Sequence, residues 1–201
     1  MMPPIHPLES AKSLILNGSY VDVLGLLQWL LRHNQCPPSL PRQIASVLES
    51  TRAGYRLTPD GKTIMPIASE EEAGVAARAF SALNIAKYGA ARTHLERAAE
   101  NIAAGDSAGA VRESIHAVES VARTITRERS FGDALRVLES RWKIHPALRD
   151  AFSKLYGYTS DEKGVRHPLI DDPNASVDEW DALFMFGACA ACITYLAQKA
   201  Y

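Results

Sequence analysis

The sequence predicts a mainly α fold: an antiparallel helical bundle preceded by a small α+β region that holds one β-hairpin. Three observations predict it. From Ser69 almost to the C-terminus, apolar residues recur every three or four positions, the period of a helix with one buried face. The breaks in that pattern fall at glycine, proline and capping residues. Strand-like residues beside a tight-turn signal are confined to residues 55–67, around Pro59-Asp60-Gly61. The expected organisation is a small region over residues 1–68 and the bundle over 69–201.

The first element is a helix from about Tyr20 to His33, with Val23, Leu24, Leu27, Leu30 and Leu31 on one stripe. Cys36-Pro37-Pro38 ends it. A second helix, from about Leu40 to Thr51, presents Ile44, Val47 and Leu48 before Gly54 breaks the pattern. Tyr55-Arg56-Leu57-Thr58 and Thr63-Ile64-Met65-Pro66-Ile67 form the hairpin, and Pro66, which lacks an amide donor, makes its second strand an edge.

Ser69 with Glu72 three residues later is a capping box, so a helix begins there and runs to about Leu83. The next spans about Gly89 to Ala104 and carries His94, Leu95, Ala98 and Ile102. Gly105-Asp106 stops it and caps its successor. That successor, about Ser107 to Thr126, places Val111, Ile115, Val118, Ala122 and Ile125 in one stripe, which leaves Glu113, His116, Glu119 and Arg123 mainly off it. Two shorter helices follow, about Phe131 to Arg141 and Pro146 to Leu155, the second opening on a proline with His145 just outside its start. The last helix opens at Ser176-Val177-Asp178-Glu179 and runs to about Lys199.

Composition narrows the function classes. The chain has 201 residues, 47% of them hydrophobic, enough to bury a core as one or two domains. A formal charge of −1 gives no global attraction to nucleic acid. A polyanion contact therefore needs a local patch such as Arg123, Arg127, Arg129, Arg136, Arg141 and Lys143, a set that also suits a solvated helix face. Cys189 and Cys192 lie in an apolar helical run that buries both thiols, with no second Cys pair and no βαβ pattern. No metal or cofactor is expected. The N-terminus lacks the features of a signal peptide, and a reduced, cytoplasmic protein is the expectation. Residues 182–198 carry no charge but fall short of the roughly 20 apolar residues of a membrane span, so a central bundle helix is expected and no membrane partner.

Chemistry is expected around residues 154–168, where paired tyrosines, alternating charges and Arg166-His167 stand together between two helices. A phosphodiester site needs a cation for the phosphate charge and a group that titrates near neutrality to move a proton.

Several segments resemble the HEPN-like C-terminal region of bacterial abortive-infection proteins. They are Val111 to Ser120, His145 to Leu148, Ala151 to Asp161, Gly164-Val165-Arg166-His167 and Phe184-Met185. Gly18 to Leu24, Gly54 to Leu57 and Pro66-Ile67 are similar to the second half of the N-terminal domain found with it, and the likeness covers about residues 18–198. The resemblance implies an all-α bundle that forms a homodimer and, in active members, a metal-independent endoribonuclease with a composite site at the dimer interface. In this chain Arg166 is the candidate phosphate holder, His167 the candidate acid–base group and Glu119 the candidate orienter, with Lys154, Tyr156, Ser160 and Asp161 as candidate binding residues.

Active members separate the arginine from the histidine by four to six intervening residues, and counting back from His167 this chain has Ser160, Asp161 and Glu162 at those positions. Two readings follow. In one, the protein cleaves RNA in phage defence or as a toxin. In the other, it is a noncatalytic module that dimerises through its last helix, binds RNA or restrains another defence protein. The loop then acts as a polar clamp in which Asp161 or Glu162 pairs with Arg166, and His167 bonds the backbone or Glu119.

Overall fold

The computed structural model describes residues 7–51, 53–67, 69–161 and 177–200. The fold is mainly helical with a single two-stranded hairpin among these residues, as the sequence predicts. Two compact units divide between Ile64 and Met65.

The first unit contains α1 (Pro7–Asn17), α2 (Tyr20–Arg32), α3 (Leu40–Ser50) and β1 (Tyr55–Leu57), and it ends on the first residue of β2 (Ile64–Pro66). Ser19 caps α2 through a reciprocal box with Asp22; the hydroxyl bond lowers the Asp22 carboxyl below its ordinary value. The hairpin turn closes on Thr58, whose hydroxyl donates to Asp60 at 2.6 Å and accepts from the Thr63 amide at 3.0 Å. Gly61 sits there at φ 74. Leu31, Ile44, Leu48 and Ile64 form this unit's core. Sequence analysis assigns nothing before Tyr20, yet α1 is there: its Ile15 and Leu16 are exposed, so it lacks a buried stripe to betray it.

The second unit holds α4 (Glu70–Ala82), α5 (Gly89–Ala104), α6 (Ser107–Thr126), α7 (Phe131–Trp142), α8 (Pro146–Asp161) and α9 (Glu179–Lys199). A 3-10 turn at Ala86–Tyr88 precedes α5. The α9 helix packs on α4, α5 and α6, while α7 and α8 pack on α6 and on each other. Its buried face is Ala182, Met185, Phe186, Cys189, Ala190, Cys192, Ile193, Leu196 and Ala197. Among the described residues, α9 alone is long and apolar enough to cross a membrane, and that face lies in the core. Burial pushes the Cys192 thiol up to about 12, and burial together with Cys192 raises Cys189 well above 9.0.

Two helix boundaries differ from expectation. The α8 helix does not end at Leu155 but runs two further turns to Asp161. Glycine inside a helix costs only about 1 kcal/mol, and packing of Leu155, Tyr156 and Tyr158 on the core outweighs Gly157. The cap of α9 is Asp178 with Asp181, in place of Ser176 with Glu179.

Candidate functional site

The α5–α6 hairpin builds the most chemically equipped cleft of the second unit. Gly105 ends α5 in the left-handed region (φ 77), and the Asp106 carboxylate accepts from the Gly109 amide at 2.8 Å to start α6. The short turn folds the helices side by side. Ala91, Leu95, Ala98, Ala99 and Ile102 of α5, with Ala110, Val111, Ile115, Ala117, Val118 and Val121 of α6, enter the core. The stripe beside them on α6 carries Glu113, His116, Glu119, Ser120 and Arg123 at spacings of three and four, off the core as the periodicity predicts.

His94 is only partly buried, at the edge of the α5 stripe instead of within it, and faces these groups. Its Nδ1 lies 2.7 Å from Glu113 Oε2. A carboxylate only accepts, so Nδ1 carries the hydrogen, and in the neutral ring Nε2 is the acceptor nitrogen. The His116 ring meets His94 edge-on at 5.3 Å between centroids. The two imidazoles open into a cleft of about 780 Å³ lined also by Glu119, Ser120, Arg123, Arg127, Glu128 and Arg129. Glu119 and Arg123 pair at 3.7 Å. Among the described residues no ion pair engages Arg127 or Arg129, so three guanidiniums face two lining carboxylates. Arg127 ends α6 at φ 66, a backbone conformation that favours glycine.

The expected basic patch therefore splits. Arg123, Arg127 and Arg129 line the cleft, whereas Arg136 pairs with Asp133 and Arg141 donates to the Ile125 carbonyl at 3.5 Å. His145 stands just outside the start of α8, as expected, and its Nδ1 accepts from the Ala147 amide at 3.2 Å.

Of the residues singled out by sequence, Glu119 is in this cleft. Arg166 and His167 lie outside the described residues. Lys154, Tyr156, Ser160 and Asp161 stand on α8 and not on a loop, because the helix continues past Gly157. Lys154 borders a separate, apolar cleft with Leu155, Tyr158, Phe184 and Met185, and Tyr156 stacks on Phe131 at 4.8 Å. Glu119 and Lys154 thus serve different surfaces. Sequence reasoning missed His94, Glu113 and His116 as a set; the available signal was Glu113-x-x-His116, which puts a carboxylate and an imidazole on one helix face. These three are the described residues whose metal-ligating atoms all fall within 4.8 Å of one another.

Comparison with protein families, with curated proteins and with solved structures finds no match to this chain.

Proposed function

We propose that the chain is a HEPN-like protein of the abortive-infection type, acting in the cytoplasm in phage defence or as a toxin, and that it binds and cleaves RNA in the α5–α6 cleft without a metal cofactor. One observation carries the reading: a carboxylate-supported His94 and a neighbouring His116 open into the same cleft as Arg123, Arg127 and Arg129. Arginines neutralise and orient a phosphodiester. One imidazole then accepts the 2′-hydroxyl proton as that oxygen attacks phosphorus, and the other donates a proton to the departing 5′-oxygen, leaving a 2′,3′-cyclic phosphate. Glu113 keeps His94 in one tautomer and orientation.

The ribonuclease reading of the sequence gives the same tasks to Arg166 and His167, so the experiment separates the two sets. Single-stranded RNA is incubated with wild type, His94→Ala, His116→Ala, Arg123→Ala and His167→Ala in the presence of EDTA. The expected outcome is cleavage by wild type that drops about 100-fold or more in either α5–α6 histidine variant. RNA affinity should weaken in Arg123→Ala and fall as salt rises. Cleavage lost only in His167→Ala would move the chemistry to the 154–168 region; no cleavage by wild type would leave RNA binding alone.

A second reading, a noncatalytic module that dimerises through α9 and reports to another defence protein, is favoured by Trp180 and Phe184, 72% and 65% exposed on that helix. Large apolar side chains so exposed on one helix suit a partner surface.

A further inference from the structure

We propose that His94, Glu113 and His116 bind a divalent transition-metal ion, Zn²⁺ by preference, with one coordination position open to the α5–α6 cleft. All three side chains are partly buried, and their ligand atoms lie within 4.8 Å of one another. Tetrahedral zinc holds nitrogen and oxygen ligands about 3.3–3.5 Å apart. The set therefore closes on an ion through side-chain rotation, and Glu113 and His94 already touch at 2.7 Å. The helix hairpin fixes the remaining geometry: Glu113 and His116 are three residues apart on α6, and His94 reaches across from α5.

The donor chemistry selects the ion. Two imidazoles and one carboxylate suit Zn²⁺ and its neighbours, whereas Mg²⁺ and Ca²⁺ require mostly oxygen. On binding, the hydrogen that Nδ1 donates to Glu113 is given up, and His94 takes the tautomer with its hydrogen on Nε2 and offers the Nδ1 lone pair to the ion. Three protein ligands leave a fourth position, and the cleft that receives it is lined by Arg123, Arg127 and Arg129. Water or an oxyanion completes the shell there.

This inference goes beyond RNA cleavage and does not depend on it. The metal and the proton transfers compete for the same imidazoles, because His94 holding an ion through Nδ1 carries its hydrogen on Nε2, the nitrogen that RNA cleavage needs as an acceptor, so Zn²⁺ acts on the proposed ribonuclease as an inhibitor; metal binding is measured with no RNA present.

The test is a Co²⁺ titration of the full chain, read by visible absorption. The expected result is a set of tetrahedral Co²⁺ bands that saturate at a single ion per chain and vanish on adding Zn²⁺. His94→Ala, His116→Ala and Glu113→Gln should each weaken Co²⁺ binding about tenfold or more, while Cys36→Ser keeps the bands. If an alanine variant loses helical circular dichroism, Glu113→Gln decides alone, since the amide preserves shape and still accepts from His94. Zn²⁺ should also raise the Tm of wild type more than that of Glu113→Gln. Absence of bands in wild type, or bands undiminished in Glu113→Gln, would overturn the proposal.

Discussion

Arg127 closes α6 at φ 66, where a β-carbon costs about 1–2 kcal/mol relative to glycine. Arg127→Gly is expected to raise the unfolding free energy by about 1 kcal/mol, read from urea midpoints, and to weaken RNA binding. Lys143→Gly, which relieves the same strain at the end of α7 (φ 50), should stabilise without touching RNA. Unchanged RNA affinity in Arg127→Gly would remove that residue from the site. The cysteines make a second residue-scale case. With folded values raised, the stability contributed by the neutral, buried thiols is complete below the ordinary thiol value of 9.0 and is lost at higher pH, for Cys192 as pH rises through about 12. A thiol reagent at about pH 8 should modify Cys36, which is partly exposed, and spare Cys189 and Cys192 in the native chain; fast reaction at either buried thiol would contradict their placement. Their burial was legible from an apolar helical run. The site was legible only in part: Glu119 and the three arginines stand out in sequence, but the charges gave no sign that His94 is their neighbour.

Helices reveal how local signals compete with packing. Ser69, Asp106 and Asp178 cap α4, α6 and α9, and the first two were readable as a hydroxyl or carboxylate ahead of an apolar run. The α8 helix went further than its sequence suggests, because the cost of one glycine is smaller than the gain from Leu155, Tyr156 and Tyr158 on the core. A β-carbon at Gly157 would meet nothing within 4 Å. Gly157→Ala is therefore expected to stabilise the protein by about 0.5–1 kcal/mol, seen as a higher Tm with more helical signal. Destabilisation would mean that this position needs a backbone angle reserved for glycine and that 154–161 is not a plain helix. In the opposite direction, α1 has Pro7 at its first turn but few buried side chains, so its periodicity carried little information.

At the scale of the whole molecule, each unit has its own apolar cluster, and in the second that cluster is organised around α9. One side of this helix fills the core while Trp180 and Phe184 face outward. If α9 pairs two copies of the chain, sedimentation should give a dimer for wild type and a monomer for Phe184→Ser. Stability should stay within about 0.5 kcal/mol in that variant, as expected of an exposed position. A wild-type monomer at high concentration would end the dimer reading. The sequence by itself determined the mainly helical class, the hairpin, most helix spans and the buried thiols, because caps, turn residues and a 3.6-residue period act within a single segment. Only the tertiary structure decided that His94 lies against Glu113, 19 residues away, and that His116 and three arginines share their cleft while Lys154 does not. Those encounters depend on how one helix rotates against another, which is set by close packing of small side chains between them and not by any local pattern.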